Sequence, residues 1–485
     1  MLLSNLLEVT DLKTADDKVV TGLTADSREV KPGFIFAALK GSALDGRQFI
    51  DAAIEKGAIA VLTEKDYPAV DCPIYCYCAE NPRQKLAHLA ARLYDGQPET
   101  IVAVTGTNGK TSVAHFVRSI WQHMGLQSAS LGTLGIVANE TTIPLHYTSP
   151  EPVLLHRTLK GLVSEDITHL VLEASSHGLD QNRLDAVKVS VGAFTNLTRD
   201  HLDYHEDAET YLKAKLGLVT RVVQDGGSVV LNADSDVYES FRQAAEDRGL
   251  KILSYGRKNS DICLKSVRSH LAGQEVDAQI FGKNCLLDLP LAGEFQAMNI
   301  LCAIGMVVAA GGDLDRALAA LPTITNVPGR MQQVATLPSG ASAYVDFAHT
   351  PDALETVLKA LRPHVEGRIL AVIGCGGDRD KGKRPVMGAI AEQYSDQVYV
   401  TDDNPRTEDP ALIRAEIMAA CSDATEIGDR KQAIETALKA ARHGDIVVVA
   451  GKGHEDGQII GNTVIPFNDQ DVIQKIAAGM EGHHD

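Results

Sequence analysis

The sequence predicts an α/β fold divided into three domains, and three observations carry that expectation. Short apolar runs alternate with helix-like stretches along the chain. The apolar run 101–104 leads into a glycine-rich loop and then into apolar residues at helical spacing. The last third holds three short apolar runs of strand length, at 369–373, 398–401 and 446–450.

The first unit, 1–95, closes with a helix-like stretch over 84–94 before the turn Asp95-Gly96-Gln97-Pro98. The second, 96–327, opens on the 101–104 strand. The third, 328–485, starts at Pro328-Gly329-Arg330. A chain of 485 residues, at roughly 150 per domain, agrees with three. There is no internal repeat and no low-complexity tract.

Composition narrows the function classes. Hydrophobic residues at 44% and charged residues at 23% describe a globular chain. A net charge of −18 argues against general binding of nucleic acid or anionic membranes, while a local basic pocket for phosphates stays compatible with it. The opening MLLSNLLEVTDLK lacks a basic segment and a long apolar core, so no signal peptide is expected. No apolar run reaches the ~20 residues of a membrane span, and 300–310 is too short. Eight scattered cysteines suit free thiols in a reducing cytoplasm. Cys72, Cys76 and Cys78 cluster, but a zinc site wants a fourth ligand and none stands nearby. The tail Gly482-His483-His484-Asp485 reads as a frayed end.

Strand 101–104 is followed by Thr105-Gly106-Thr107-Asn108-Gly109-Lys110-Thr111. Val113, Phe116, Val117, Ile120, Trp121 and Met124 then repeat with helical period. Strand, glycine loop and amphipathic helix make a phosphate cradle of backbone N–H groups at a helix N-terminus. Lys110 is expected to reach the β/γ-phosphates and Thr111 to bind Mg²⁺ through its hydroxyl. The usual pattern has Gly at 104, where this chain has Val. The next apolar strand, Leu170-Val171-Leu172, ends in Glu173, a carboxylate placed to hold Mg²⁺ directly or through water. After a further strand at 191–197, His201 and His205 stand four apart. That spacing suits either a metal pair on a helix or a hydrogen-bonded loop end.

GTNGKT at 106–111, EASSHGLDQNR at 173–183, TNLTRDHLDYH at 195–205 and DFAHTP at 346–351 together resemble the Mur ligases, ATP-dependent amino-acid-adding enzymes of peptidoglycan synthesis. DSR at 26–28, GCGGDRDKGKRP at 374–385, DDNPR at 402–406 and GKGHE at 451–455 narrow the resemblance to the branch that adds meso-2,6-diaminopimelate. It implies an N-terminal uridine-nucleotide domain, a central P-loop ATPase domain with a mostly parallel sheet and a C-terminal Rossmann-like domain. It also implies a reaction: ATP phosphorylates the D-Glu side chain of UDP-MurNAc-L-Ala-D-Glu, and the amine of diaminopimelate displaces the phosphate.

The resemblance implies site residues as well. Gly106, Thr107, Asn108, Gly109, Lys110, Thr111, Ser112, Asn299, Arg330 and Asp346 would engage ATP. Thr111, Glu173, His201 and Lys215 would form the Mg²⁺ site. Tyr211-Leu212-Lys213-Ala214-Lys215 matches the segment whose last lysine is carbamylated by CO₂, making Lys215 an N6-carboxylysine, with Lys213 the other candidate. Lys110, Lys215, Glu173 and His201 would be the catalytic group. Ala25, Ser27, Ser42, Ala43 and Leu44 match the uridine side of the substrate, and Thr148, Ser149, Ser175, Gln181 and Arg183 its MurNAc-dipeptide side. Arg379, Asp403, Asn404, Pro405, Arg406, Gly451 and Glu455 match the diaminopimelate pocket. There Arg379 and Arg406 are the forks for the distal carboxylate, and Asn404, Glu455 and the Gly451 carbonyl the partners of the ammonium. His349 lies in a family motif without an assigned role. Gln296 and Gln332 depart from the Asn and Glu usual at their positions. Two other readings stand beside this one: a ligase for lysine or for folylpolyglutamate, and a non-ligating P-loop ATPase. The expected partners are small molecules only, with the chain a monomer in the cytoplasm, bound to neither nucleic acid nor membrane.

Overall fold

The computed structural model describes residues 1–10, 12, 17–41, 44–67, 72–139, 141–200, 204–270 and 273–481. Among these residues the strands form three main sheets. The N-terminal sheet is parallel, in the order Gly22–Thr24, Phe34–Ala37, Ala60–Glu64, Tyr75–Ala79. Helix Pro82–Leu93 covers it, packing Leu86, Leu89 and Ala90 against Ile35 and Leu62. The helix starts two residues before the expected stretch because Asn81 caps it, accepting from the Gln84 N–H at 3.0 Å, and Pro82 fits the first turn.

The central sheet has eleven strands among the described residues. Its parallel core runs Lys251–Gly256, Val223–Asn232, Val189–Phe194, Thr100–Thr105, His169–Glu173, Ser128–Gly132. The phosphate-loop strand therefore sits in the middle, buried on both faces, which is why its sequence is an unbroken apolar run. One face carries helices Lys110–His123 and Glu294–Ala309, with Val113, Phe116, Val117, Ile120 and Trp121 packed against Ile300, Ile304 and Val307. The apolar stretch at 300–310 is thus core. No helix among the described residues is long and apolar enough to cross a membrane. The other face is covered by Pro152–Ser164, with Leu155, Leu159 and Leu162 inward. Strands Ile262–His270, Gly273–Ile280 and Lys283–Leu289 add an antiparallel flank that the alternation of strands and helices did not reveal.

The C-terminal sheet runs Gln332–Thr336, Ser342–Asp346, Ile446–Ala450, Ile369–Ile373, Gln397–Val400, Thr425–Glu426, parallel except at its first strand. The three predicted apolar strands are its centre. Their carboxyl ends open into the loops that carry Arg379, Asp403–Arg406 and Gly451–Glu455, and the neighbouring strand ends at Asp346. One expectation is corrected. The strand predicted at 191–197 is Val189–Phe194, because Thr195 and Asn196 turn to serve the phosphate loop. Of the two readings of His205, the loop end holds: the helix begins at Ala208, capped by Asp207.

Candidate active site

The phosphate loop is shaped by contacts from the neighbouring strand end. Thr195 Oγ1 donates to the Asn108 carbonyl at 2.6 Å, and Asn196 Oδ1 accepts from the Asn108 N–H at 2.8 Å. Gly106 has φ +148°, and a Cβ there would lie 1.9 Å from Thr195 Oγ1. Only glycine allows this close approach. Thr107 Oγ1 lies 3.1 Å from the Tyr211 hydroxyl, which ties the loop to helix Ala208–Gly217.

Two lysines meet at this loop. Lys110 Nζ donates to the carbonyls of Gly106 and Thr107, both at 2.8 Å. Lys215 Nζ donates to the same Gly106 carbonyl at 2.8 Å and lies 4.4 Å from the Tyr211 ring centre. Lys215 is almost fully buried. Burial, and next the like charge of Lys110, push its pKa well below the ordinary lysine value. Burial lowers Lys110 as well, with Glu173 and Asp200 pulling the other way. Lys110, resting on neutral carbonyls at this loop, is the cation placed for a polyanion.

Glu173 ends the strand next to the phosphate-loop strand. Its Oε2 accepts from Thr111 Oγ1 and Thr133 Oγ1, each at 3.0 Å, and its Oε1 from the Thr133 N–H at 2.8 Å. Gly132 makes room, since a Cβ there would meet Glu173 Oε1 at 2.1 Å. The Glu173 carbonyl accepts from Ser149 Oγ at 2.9 Å. Thr111 and Glu173 supply hard oxygen donors, the kind that hold a partly hydrated Mg²⁺ beside phosphates. Among the described residues no group of three His, Cys, Asp or Glu side chains is placed to hold a metal alone. His201 lies outside the described residues.

Across the cleft stand residues of the C-terminal unit. Arg330 Nη2 is 3.4 Å from Thr111 Oγ1, and the guanidinium lies 4.5 Å from the Phe347 ring centre. Its buried Nε has no hydrogen-bond partner among the described residues. Asp346 accepts from the Met331 N–H at 2.6 Å, and burial pushes its carboxyl up to about 6 against the pull of Arg330. Asn108 Nδ2 donates to Asp352 at 3.0 Å. Gly109, Ser112, Asn299, Arg330, Asp346 and Asp352 line one cleft. Of the departures, Gln296 accepts from Asn299 Nδ2 at 3.0 Å and so holds that residue, while Gln332 accepts from the Gly329 N–H at 2.7 Å. His349 contributes its carbonyl to Lys383 Nζ, 2.7 Å, and its Nδ1 lies 2.8 Å from the Phe347 carbonyl.

The five residues assigned to the MurNAc-dipeptide side form one network around Glu173. Thr148 Oγ1 is 3.2 Å from Thr133 Oγ1. Ser175 donates to Ser149 through its N–H and its hydroxyl, both at 3.0 Å. Arg183 donates to the Ser149 carbonyl at 2.7 Å and to Gln181 at 2.8 Å. On the uridine side, Ala25 is exposed, the Ser27 carbonyl accepts from Lys56 at 2.9 Å and the Leu44 carbonyl from the Gly41 N–H at 2.8 Å. Those hydrogen bonds stay within the N-terminal unit. Ser42 and Ala43 lie outside the described residues.

A third cluster forms at the carboxyl edge of the C-terminal sheet. Asp403 Oδ1 accepts from the Asn404 N–H at 2.7 Å, and Asn404 Nδ2 donates to Glu455 Oε2 at 2.9 Å. Gly451 passes so close to Asp403 that a Cβ would lie 2.6 Å from its Oδ2. Arg406 adopts φ +51° and donates to the Gly377 carbonyl at 2.8 Å, while the Pro405 carbonyl packs on Gly377. Burial, then the like charge of Arg379, lowers the Arg406 pKa. Two guanidiniums side by side favour a carboxylate between them. Arg379 itself donates to the Asp378 carbonyl at 3.0 Å. Sequence reasoning missed Thr133, Tyr211, Asp352 and Lys452. Thr133 follows a strand of the same sheet and Lys452 lies inside a quoted motif, so both carried a signal.

Three domain models of one family match the chain. They are the Mur ligase family catalytic domain over residues 19–94, the Mur ligase middle domain over 104–307, and the Mur ligase glutamate ligase domain over 329–453. The UDP-N-acetylmuramoyl-L-alanyl-D-glutamate–2,6-diaminopimelate ligase of Brucella melitensis is 47% identical over 470 residues, covering 97% of this chain and 96% of that protein. The protein of the same name from Caulobacter vibrioides is 48% identical over 462 residues, covering 94% and 95%. A solved structure of a ligase of that name superposes with a TM-score of 0.72 at 32% identity, covering 100% of this chain and 99% of that one. The MurF ligase of Thermotoga maritima, solved with ADP, shares the fold with a TM-score of 0.65 at 19% identity, over 98% and 100% of the two chains.

Proposed function

Since the chain belongs to the Mur ligase family, we propose that it is the ATP-dependent ligase that joins meso-2,6-diaminopimelate to the D-Glu side chain of UDP-MurNAc-L-Ala-D-Glu, in the synthesis of peptidoglycan precursors. The observation that carries this reading is the meeting of Lys110 and Lys215 on the Gly106 carbonyl, beside Glu173 and opposite Arg330. The arrangement fits phosphoryl transfer. A carboxylate is a poor electrophile because oxide is a poor leaving group. In the first step the D-Glu carboxylate takes the γ-phosphoryl group, one P–O bond forming as the bond to ADP breaks. In the second the diaminopimelate amine attacks the acyl carbon, phosphate leaves with its electron pair and the amine loses a proton.

Lys110 and Arg330 are suited to spread the charge of the transferring group. Thr111 and Glu173 would hold Mg²⁺, which supplies charge neutralisation on the phosphates when bound. Lys215, as an amine, is no ligand for such a metal. Its depressed pKa favours the neutral form, which adds CO₂ to give a carbamate and release a proton. The carbamate then offers anionic oxygen in place of an ammonium. Thr148, Ser149, Ser175, Gln181 and Arg183 would position the dipeptide carboxylate next to the phosphate loop. Closure of the Arg330–Asp346 side over it would keep water from a hydrolysable acyl phosphate.

Arg379 and Arg406 would take the distal carboxylate of diaminopimelate, and Glu455, held by Asn404 rather than joined by it as a second acceptor, its ammonium. Lysine would leave both guanidiniums without an anion, which disfavours the lysine-adding alternative. Domain limits at 95 and 327 belong to this proposal. One chain supplies every group named. Eight cysteines free of disulfides suit the cytoplasm, where ATP is made available. Phosphate release from ATP, measured with UDP-MurNAc-L-Ala-D-Glu and either meso-diaminopimelate, L-lysine or no amino acid, tests the reading. Release that needs diaminopimelate and yields a tripeptide by mass is expected. Release indifferent to both added substrates would leave only a P-loop ATPase.

A further inference from the structure

One buried cation in the amino-acid pocket has no part in the scheme above. Lys452 has no exposed surface, and its Nζ donates to Asn404 Oδ1 at 2.9 Å and to Glu455 Oε2 at 2.8 Å. The Ile459 N–H donates to the same Asn404 oxygen at 3.0 Å. Two donors on one oxygen fix the amide. Turned by half a rotation, Asn404 would set its NH₂ against an ammonium and an N–H. Nδ2 is therefore directed at Glu455 Oε2. Among the described residues the hydrogen bonds of the Glu455 carboxylate fall on Oε2, which leaves Oε1 for a ligand.

We infer that Lys452 is a specificity-determining positioning residue, which orients Asn404 and partly neutralises Glu455 so that the pocket holds an ammonium well only when a carboxylate accompanies it on Arg379 and Arg406. The inference rests on the function proposed above. The distal centre of diaminopimelate is a zwitterion and brings its own anion to the two guanidiniums. The ε-ammonium of lysine brings only a cation, and meets the repulsion of Lys452 through Glu455 with nothing to offset it. Without the Lys452 charge, Glu455 attracts a bare ammonium fully and the Asn404 amide is free to turn. The gain goes to lysine, because for the zwitterionic centre the lost attraction of Lys452 for the carboxylate offsets the lost repulsion of the ammonium.

Steady-state kinetics of the full chain test this, with ATP and UDP-MurNAc-L-Ala-D-Glu saturating and diaminopimelate or L-lysine varied. Lys452→Met removes the charge at similar volume. It is expected to lower KM for lysine about tenfold while KM for diaminopimelate and both kcat values change about threefold or less. The ratio of kcat/KM for diaminopimelate over lysine is expected to fall by about tenfold or more. A merely structural role would lower turnover with both amino acids and leave the ratio in place. Lys452→Gln keeps a donor without the charge and carries the same expectation should the methionine variant not fold. An unchanged ratio in the folded variants, with the wild type active on diaminopimelate, overturns this inference alone. A wild type that turns over neither amino acid overturns the function proposed above and the inference with it.

Discussion

Gly106 shows how a single missing side chain shapes the phosphate loop, because a Cβ there would press on Thr195 Oγ1. Gly106→Ala is expected to store strain of about 1–3 kcal/mol, lower the unfolding midpoint and weaken ATP binding, as thermal melts with and without nucleotide would report. Asp346 gives a pH dependence of known sign. Its folded carboxyl keeps a proton to about 6, above the unfolded value of 3.8. The folded state therefore binds more protons in that window, and stability falls as pH rises from about 4 to about 6. The loss, on the order of 3 kcal/mol, persists at higher pH. Asp346→Asn removes that slope, so urea midpoints of the two proteins should converge or cross between those pH values and run parallel above them. Lys215 predicts a carbamate signal in ¹³C spectra under labelled CO₂. Lys215→Met should abolish the signal and reduce turnover by about 100-fold or more. A wild-type spectrum without that signal would instead make Lys215 act as a plain cation.

At the scale of elements, the C-terminal helix Asp469–Glu481 is fastened to the amino-acid pocket by one buried pair. Arg430 Nη2 and Nε contact Asp469 at 2.7 and 2.8 Å, with both side chains fully buried. Arg430 also donates to the Ala450 carbonyl at 3.1 Å, just before the Gly451 loop. Asp469→Ala leaves an uncompensated buried charge and should cost about 3–5 kcal/mol in denaturant unfolding, whereas replacing both partners with apolar residues should cost much less. A second link joins the phosphate-loop residue Asn108 to Asp352 in the first turn of helix Pro351–Leu361. Asp352→Ala should weaken ATP binding about fivefold by calorimetry, the loss of one hydrogen bond, without preventing folding. Unchanged affinity would mean that the two units close without this contact.

Over the whole molecule, what was legible in the sequence is what local pattern encodes. The strand, glycine loop and helix around Lys110 could be read because a fully buried strand is an unbroken apolar run and the following helix repeats with its own period. The three apolar strands of the C-terminal sheet were legible for the same reason. The flank formed by Ile262–His270, Gly273–Ile280 and Lys283–Leu289 was not, since these half-exposed strands alternate polar and apolar residues and carry no glycine-loop marker. The spacing of His205 fits a helix or a loop end equally well, and only the Asp207 cap, which starts the helix after it, decides for the loop. The Lys110–Lys215 meeting spans 105 positions and the Lys452–Asn404 bond spans 48, so only folding brings these groups together. Motif resemblance supplied a role for Lys215 and marked the GKGHE segment that holds Lys452 without giving it a role, because that role depends on the fold bringing it to Asn404 Oδ1.

In the proposed function ATP activates the D-Glu carboxylate as an acyl phosphate between the Lys110–Glu173 cluster and Arg330. The most direct measurement uses UDP-MurNAc-L-Ala-D-Glu labelled with oxygen-18 in that carboxylate, turned over with ATP and meso-diaminopimelate. An acyl phosphate passes one carboxylate oxygen to phosphorus, so the released phosphate is predicted to carry one labelled oxygen per tripeptide formed. Unlabelled phosphate released alongside tripeptide would contradict the account, because the carboxylate would then have been activated without ever bonding to phosphorus.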